Sequence, residues 1–103
     1  MTSKFFNRLE DAKEIVAKHR VKKYIIDEKL EKWVVVGNSR EYLVKIDPFW
    51  CRCYDFQNNV LYGNVSQCKH NIAVQIADRE AKFDSYNLSK EEYDHIRSDF
   101  LFD

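Results

Sequence analysis

The chain has almost no backbone punctuation. One proline and two glycines occur in 103 residues, so no flexible or proline-rich linker divides it. It has no internal repeat and no low-complexity tract. No apolar run approaches the roughly 18 residues of a membrane-spanning helix. Lys4 and Phe5-Phe6 open the chain, but Arg8, Glu10 and Asp11 follow at once. That pattern predicts no secretory segment and an intracellular protein, in the cytoplasm, nucleoid or nucleus. Net charge is also missing, because 17 Lys and Arg balance 17 Asp and Glu. The whole-molecule basic field that usually marks a nucleic-acid binder is therefore absent. A phosphate loop, a Ser-His-Asp order and the redox pair Cys-x-x-Cys are all lacking. Cysteines are few and odd in number, three in all, which excludes a fully paired disulfide framework.

What is present is apolar and aromatic. Hydrophobic residues make up 45% and aromatics 15%, too much for a disordered tail. The length predicts one domain over residues 1–103. A domain of this size buries only about 60–70% of its unfolded surface, so a staple such as a metal would help it. The charges are unevenly spread: residues 1–50 carry eleven Lys/Arg against eight Asp/Glu, and residues 78–103 four against eight.

Periodicity divides the domain into three parts: an N-terminal helix over 1–20, a core over 21–80 and a helical segment over 81–103. Ser3 is placed to cap the first helix, and Phe5, Phe6, Leu9, Ala12, Val16 and His19 make one apolar stripe. Val21–Ile26 and Trp33–Val36 read as strands, the second ended by the turn residues Gly37-Asn38-Ser39. Tyr42, Val44 and Ile46 alternate as a third strand, which Pro48 interrupts. Cys53–Gln57 and Val60–Tyr62 flank Asn58-Asn59 and read as a hairpin, ended by Gly63-Asn64. Ile72, Ala73, Ile76 and Ala77 predict a helix over 67–83, with Ser66 or Asn64 as its cap. Ser89-Lys90-Glu91-Glu92 fits a capping box, and Tyr93, Ile96, Phe100 and Leu101 form the apolar side of a last helix. The fold class is α+β: a small antiparallel sheet, a metal site at the start of a helix, and flanking helices at both ends.

The metal site is read from spacing. Cys51-Arg52-Cys53 is followed by fourteen residues and then Cys68-Lys69-His70. Zinc takes four Cys or His ligands in a tetrahedron, and each short pair brings two donors to one ion. A C-x-C pair suits a strand that turns sharply, as the segment after Pro48 does. The second pair falls at a helix start, where the dipole and free N–H groups favour a thiolate. Arg52 and Lys69 sit inside the pairs and can offset thiolate charge. Buried cysteine is common without any metal, but two paired spacings with no donor left over point to one structural Zn2+.

These residues resemble the SWIM zinc finger, a family with Cys-x-Cys…Cys-x-His ligands. Trp33-Val34-Val35-Val36-Gly37-Asn38-Ser39 and then Tyr42-Leu43-Val44 look like the family's approach to its first cysteine. Cys68-Lys69-His70 is its typical end. The resemblance covers about residues 21–80 and departs from the pattern at Gln67, where the family usually has proline. It implies a ββα zinc-bound fold that acts in DNA binding or protein interaction. SWIM modules occur as accessories in chromatin-remodelling ATPases, transposases and ubiquitin ligases. A small stand-alone example resembles the type that works beside a recombinase-like ATPase.

The resemblance therefore puts nucleic-acid binding, DNA or RNA, first and docking on a protein partner second. Neutral charge favours the second. Lys18, Arg20, Lys22 and Lys23, with Arg52 and Lys69, are the candidate phosphate contacts. Tyr24, Trp33, Phe49 and Trp50 are available to stack on bases, although such aromatics more often fill a core. His19 reads as a packed residue and His95 as an exposed one, neither a metal ligand. Asp47, Asp55 and Asp84 lie at element edges, where Asp is ordinary. A closed four-ligand zinc shell leaves no position for water, so no enzyme, no small-molecule substrate and no membrane contact are expected. The apolar C-terminal side, with Phe102, either closes the core or meets a partner.

Overall fold

The computed structural model describes residues 4–37, 40–63 and 65–96, with side chains from Asn7 onward. Ser3, Asn38-Ser39, Asn64, Phe100, Leu101 and Phe102 lie outside the described residues, as do the side chains of Phe5 and Phe6. Three α-helices, α1 (Lys4–Ala17), α2 (Lys69–Glu80) and α3 (Lys90–Ile96), accompany five strands. The strands are β1 (Val21–Ile26), β2 (Leu30–Val36), β3 (Glu41–Ile46), β4 (Phe49–Cys51) and β5 (Asp84–Leu88). They form one mixed sheet in the order β4-β3-β2-β1-β5. The first four strands pair antiparallel, and β5 lies parallel to β1 with Tyr24 opposite Tyr86.

Alternation along the strands sends side chains to two faces. Val21, Val35, Val44 and Cys51 lie on one face, against Ala12 and Val16 of α1 and Ile72, Ala73, Ile76 and Ala77 of α2. Tyr24, Ile26, Val34 and Leu43 lie on the other, against Tyr93 of α3. Adjacent Val34 and Val35, both fully buried, thus serve opposite layers. The sheet is buried on both faces, which is why its middle strands read as continuous apolar runs.

Helix ends and turns follow local chemistry. α1 stops at His19, whose φ of 57° puts it in the left-handed region that ends helices. The next N–H, of Arg20, returns to the Ile15 carbonyl at 3.1 Å. His19 is therefore an exposed terminator, which corrects its placement on the apolar stripe. The β1–β2 turn uses Asp27 and Glu28 at φ 51° and 60°, as mirror-image hairpin turns require, closed by Lys29 N–H to the Ile26 carbonyl at 3.0 Å.

Two further expectations are corrected. Residues 53–62 do not form a hairpin. Phe56–Val60 is a π-helical turn, and the side chains supposed to shape a β-turn bond backward instead. Gln57 Nε2 donates to the Arg52 carbonyl at 3.0 Å, Asn58 Nδ2 to the Tyr54 carbonyl at 2.9 Å and Asn59 Nδ2 to Asp55 Oδ1 at 2.7 Å. Residues 84–88, not read as a strand, form β5 and make the sheet mixed. The capping box before α3 is present: Glu92 N–H donates to Ser89 Oγ at 3.1 Å, and Ser89 N–H to Glu92 Oε1 at 3.0 Å.

Candidate metal centre

The two halves of the cysteine–histidine pattern arrive from different elements. Cys51 is the last residue of β4, and Cys53 follows where the chain turns away from the sheet. Cys68 caps α2 with extended backbone, φ −86° and ψ 170°, and His70 lies in the first turn of that helix. The cap is Cys68 itself, two residues after Ser66 and four after Asn64.

All four side chains are buried, with 0–5% exposure. Their ligand atoms lie within 4.8 Å of one another. Cys51 Sγ is 3.5 Å from His70 Nδ1, so Nδ1 is the ring nitrogen turned toward the cluster. Zinc bonds of about 2.0–2.3 Å in a tetrahedron place donors about 3.3–3.8 Å apart. The donor set, the burial and the separations fit one tetrahedral ion with little rearrangement. Among the described residues no other group of three or more His, Cys, Asp or Glu converges in this way.

Backbone donors already point at two of the sulfurs. Phe56 N–H lies 3.3 Å from Cys53 Sγ, and Asn71 N–H lies 3.5 Å from Cys68 Sγ. Such bonds stabilise thiolates and fix the ligands' orientation. The protons on the cluster follow from crowding. Cys53 is held well below the usual thiol range by hydrogen bonds from Cys51, Cys68 and His70 and from Phe56 N–H. Cys51 is raised, through its bonds to Cys53 and Cys68 and through burial. Cys68 is pushed up to about 12: its bond to Cys51 favours the thiolate, but Cys53 and burial oppose it more strongly. Burial and mutual crowding oppose three thiolates at once, and a cation among them would offset that charge.

Outer contacts hold the ligands. Tyr42 stacks on His70 with ring centroids 4.6 Å apart and planes 23° apart. Asn71, fully buried, accepts Cys68 N–H through Oδ1 at 3.1 Å. Its Nδ2 donates to the carbonyls of Lys45 at 3.2 Å and Trp50 at 3.3 Å. Arg8 grips Asp55 with both ends of its fork, Nε to Oδ2 at 2.8 Å and Nη2 to Oδ1 at 2.6 Å. This pair ties α1 to the π-helical turn two residues after Cys53. Sequence reading missed Asn71 and Arg8, since neither has the spacing of a ligand. Gln67, where the SWIM pattern has proline, accepts from Gln75 Nε2, which also donates to the Asn71 carbonyl at 3.1 Å. Of the cations assigned to thiolate charge, Arg52 and Lys69 are both half-buried beside the ligands. Arg8 is held above its usual value first by its hydrogen bond to Asp55.

No family model, curated protein or solved structure matches the chain. The case for the centre therefore rests on its donors and their geometry. A buried Cys51/Cys53/Cys68/His70 cluster is present, in the order and setting of a CxC…CxH zinc site.

The other candidate residues are dispersed. Lys18, Arg20 and Lys69 line one polar groove, shared with Asp11 and Glu14, and Lys18 is paired with Glu14 at 2.6 Å. Lys22 and Lys23 point to opposite faces of β1. Lys22 meets Glu41 at 3.2 Å; Lys23 meets Glu31 at 3.1 Å and lies over the Trp33 ring. Arg52 is half-buried between the first two cysteines. Tyr24 is buried, Trp33 packs edge-on against Phe83 at 4.9 Å, and Phe49 and Trp50 are half-buried. Among the described residues the well-exposed aromatics are Tyr54, Tyr62 and Tyr86, none of them singled out by sequence. Asp55 is committed to Arg8, while Asp47, Asp84 and His95 are exposed. Among the described residues no helix is long and apolar enough to cross a membrane.

Proposed function

We propose that the protein is a non-enzymatic zinc-binding module of SWIM type, in which one Zn2+ is held by Cys51, Cys53, Cys68 and His70. The observation that carries this reading is the closed, buried four-donor cluster. Zinc supplies the positive charge that lets all three sulfurs ionise in a buried site. The residues do the rest. Cys51 and Cys53 anchor the end of the sheet, and Cys68 and His70 anchor the first turn of α2. The 54–67 segment is thereby closed into a loop between them. Four protein donors leave no position for a reacting water, so the metal's role in this reading is structural.

The module acts by docking on a partner. A protein partner is favoured by the pairing of Lys18, Lys22 and Lys23 with carboxylates and by the burial of Tyr24. Nucleic acid is the second reading, supported by the convergence of Lys18, Arg20 and Lys69 on one groove.

Elemental analysis of the purified protein tests the first claim, and one zinc per chain is expected. Chelation should unfold the chain, because binding energy at a structural site is folding energy. A protein that folds and melts identically without metal overturns the assignment. Fluorescence titration with single- and double-stranded DNA at two salt concentrations separates the partners. Strongly salt-dependent binding selects nucleic acid, and its absence selects protein.

A further inference from the structure

Away from the cysteine cluster, between the β1–β2 hairpin and α3, lies an apolar groove of about 320 Å³. Its floor is Ile26 and Tyr93, both buried, and its lip is Leu30, which is 59% exposed. Lys29, Lys32 and Lys90 stand around it. None of these three ammonium groups has an ion-pair partner among the described residues, whereas Lys13, Lys18, Lys22, Lys23 and Lys82 all do. Two carboxylates, Asp27 and Asp94, also border the groove. Asp27 is already engaged, its Oδ1 accepting Lys90 N–H at 3.1 Å. Asp94 has a partner as well, so three cations stand beside two engaged anions around a floor with no charge of its own. Lysine stems are apolar and can extend such a surface while the ammonium groups stay in water.

We propose that this groove docks a segment of a partner protein that presents an apolar side chain flanked by carboxylates, as an acidic amphipathic helix does. The inference rests on the interaction-module reading and names the chemistry of the partner. An apolar side chain seats on Ile26, Leu30 and Tyr93, and its neighbouring carboxylates meet Lys29, Lys32 and Lys90. A nucleic-acid backbone suits the site poorly, because it has nothing apolar to place on the floor. The volume, near the low end of the roughly 300–1,000 Å³ of ligand pockets, fits a few side chains.

The test uses the zinc-loaded 103-residue chain and a fluorescein-labelled amphipathic peptide, with Leu and Phe on one helical face and Asp and Glu on the other. Saturable binding is expected, with backbone amide shifts confined to residues 26–32 and 90–94. The variant K29E/K32E/K90E should weaken binding by about tenfold or more. Leu30→Ser should weaken it severalfold, since an exposed leucine can be replaced without unfolding the chain. K13E/R79E/K82E carries the same charge change elsewhere and should bind within about twofold of the parent. Zinc content and melting temperature are measured for every variant. If the triple variant loses its fold, Leu30→Ser and the shift map decide. No binding, an equal loss in the charge control, shifts at other residues, or a DNA oligonucleotide binding at residues 26–32 and 90–94 would each overturn the proposal. A zinc-loaded, folded protein that ignores the peptide fails this inference alone. A parent protein without zinc fails the reading beneath it.

Discussion

Asn71 reaches from the second ligand pair to the first: its Nδ2 donates to the carbonyl of Trp50, the residue before Cys51, at 3.3 Å. The same amide donates to Lys45, and its oxygen accepts Cys68 N–H. One fully buried side chain therefore sets the spacing between the β3–β4 turn and the start of α2. This frame joins the elements that carry the four donors.

Replacing Asn71 with Ala should destabilise the zinc-loaded protein by about 2–4 kcal/mol, because two carbonyls and one N–H lose their partner in a buried site. Urea unfolding at fixed free zinc measures it. A loss below about 1 kcal/mol means that water takes over those bonds and that the frame does not depend on Asn71.

Cys51→Ser and His70→Ala should each abolish stoichiometric zinc and largely unfold the chain, since removing a ligand from a structural site removes folding energy. Metal analysis and circular dichroism report this directly. Full metal content with an unchanged melting temperature in either variant contradicts the ligand set.

Zinc binding should release protons near pH 7, because the thiols must ionise to ligate. Cys51 and Cys68 are raised above the ordinary thiol range in the metal-free cluster, while Cys53 is lowered. The first two thus carry protons that must leave when they ligate, and apparent zinc affinity falls as pH falls. Calorimetry in buffers of different ionisation enthalpy counts the protons. Release of none shows that the sulfurs are not the ligands.

The Arg8–Asp55 pair should couple by about 1–2 kcal/mol in a double-mutant cycle with Arg8→Ala and Asp55→Ala. It is bidentate and its side chains are only 15% and 26% exposed, so it exceeds an ordinary surface pair. Additive single variants would show that α1 is held by its apolar stripe alone.

Ala81→Gly should raise stability by about 0.5–1 kcal/mol. Ala81 ends α2 at φ 55° and is exposed, so glycine relieves the strain of a left-handed alanine and gives up no packing. A destabilised variant would mean that the added chain entropy of glycine outweighs that relief.

The donor set was legible in the sequence because ligand spacing is local: two residues apart leaves little choice of geometry. So were α1, the runs around Val21, Val34 and Val44, and the Ser89–Glu92 box, each set by side-chain period or by a cap a few residues long. The errors have one cause. Residues 53–62 look like a hairpin by turn propensity, yet Phe56 N–H is drawn to Cys53 Sγ and the chain coils around it. Asp84-Ser85-Tyr86-Asn87-Leu88 has weak strand composition and becomes a strand because the chain leaving α2 meets the open edge of β1, where pairing outweighs propensity.

By itself the sequence determined which atoms are offered to a metal and which elements carry them, since both depend on near neighbours along the chain. The tertiary structure decided how those atoms are held. Asn71, Arg8 and Tyr42 act on partners 21–47 residues away or on another element's ring, and no local pattern encodes a bond that exists only once the sheet and α2 have packed.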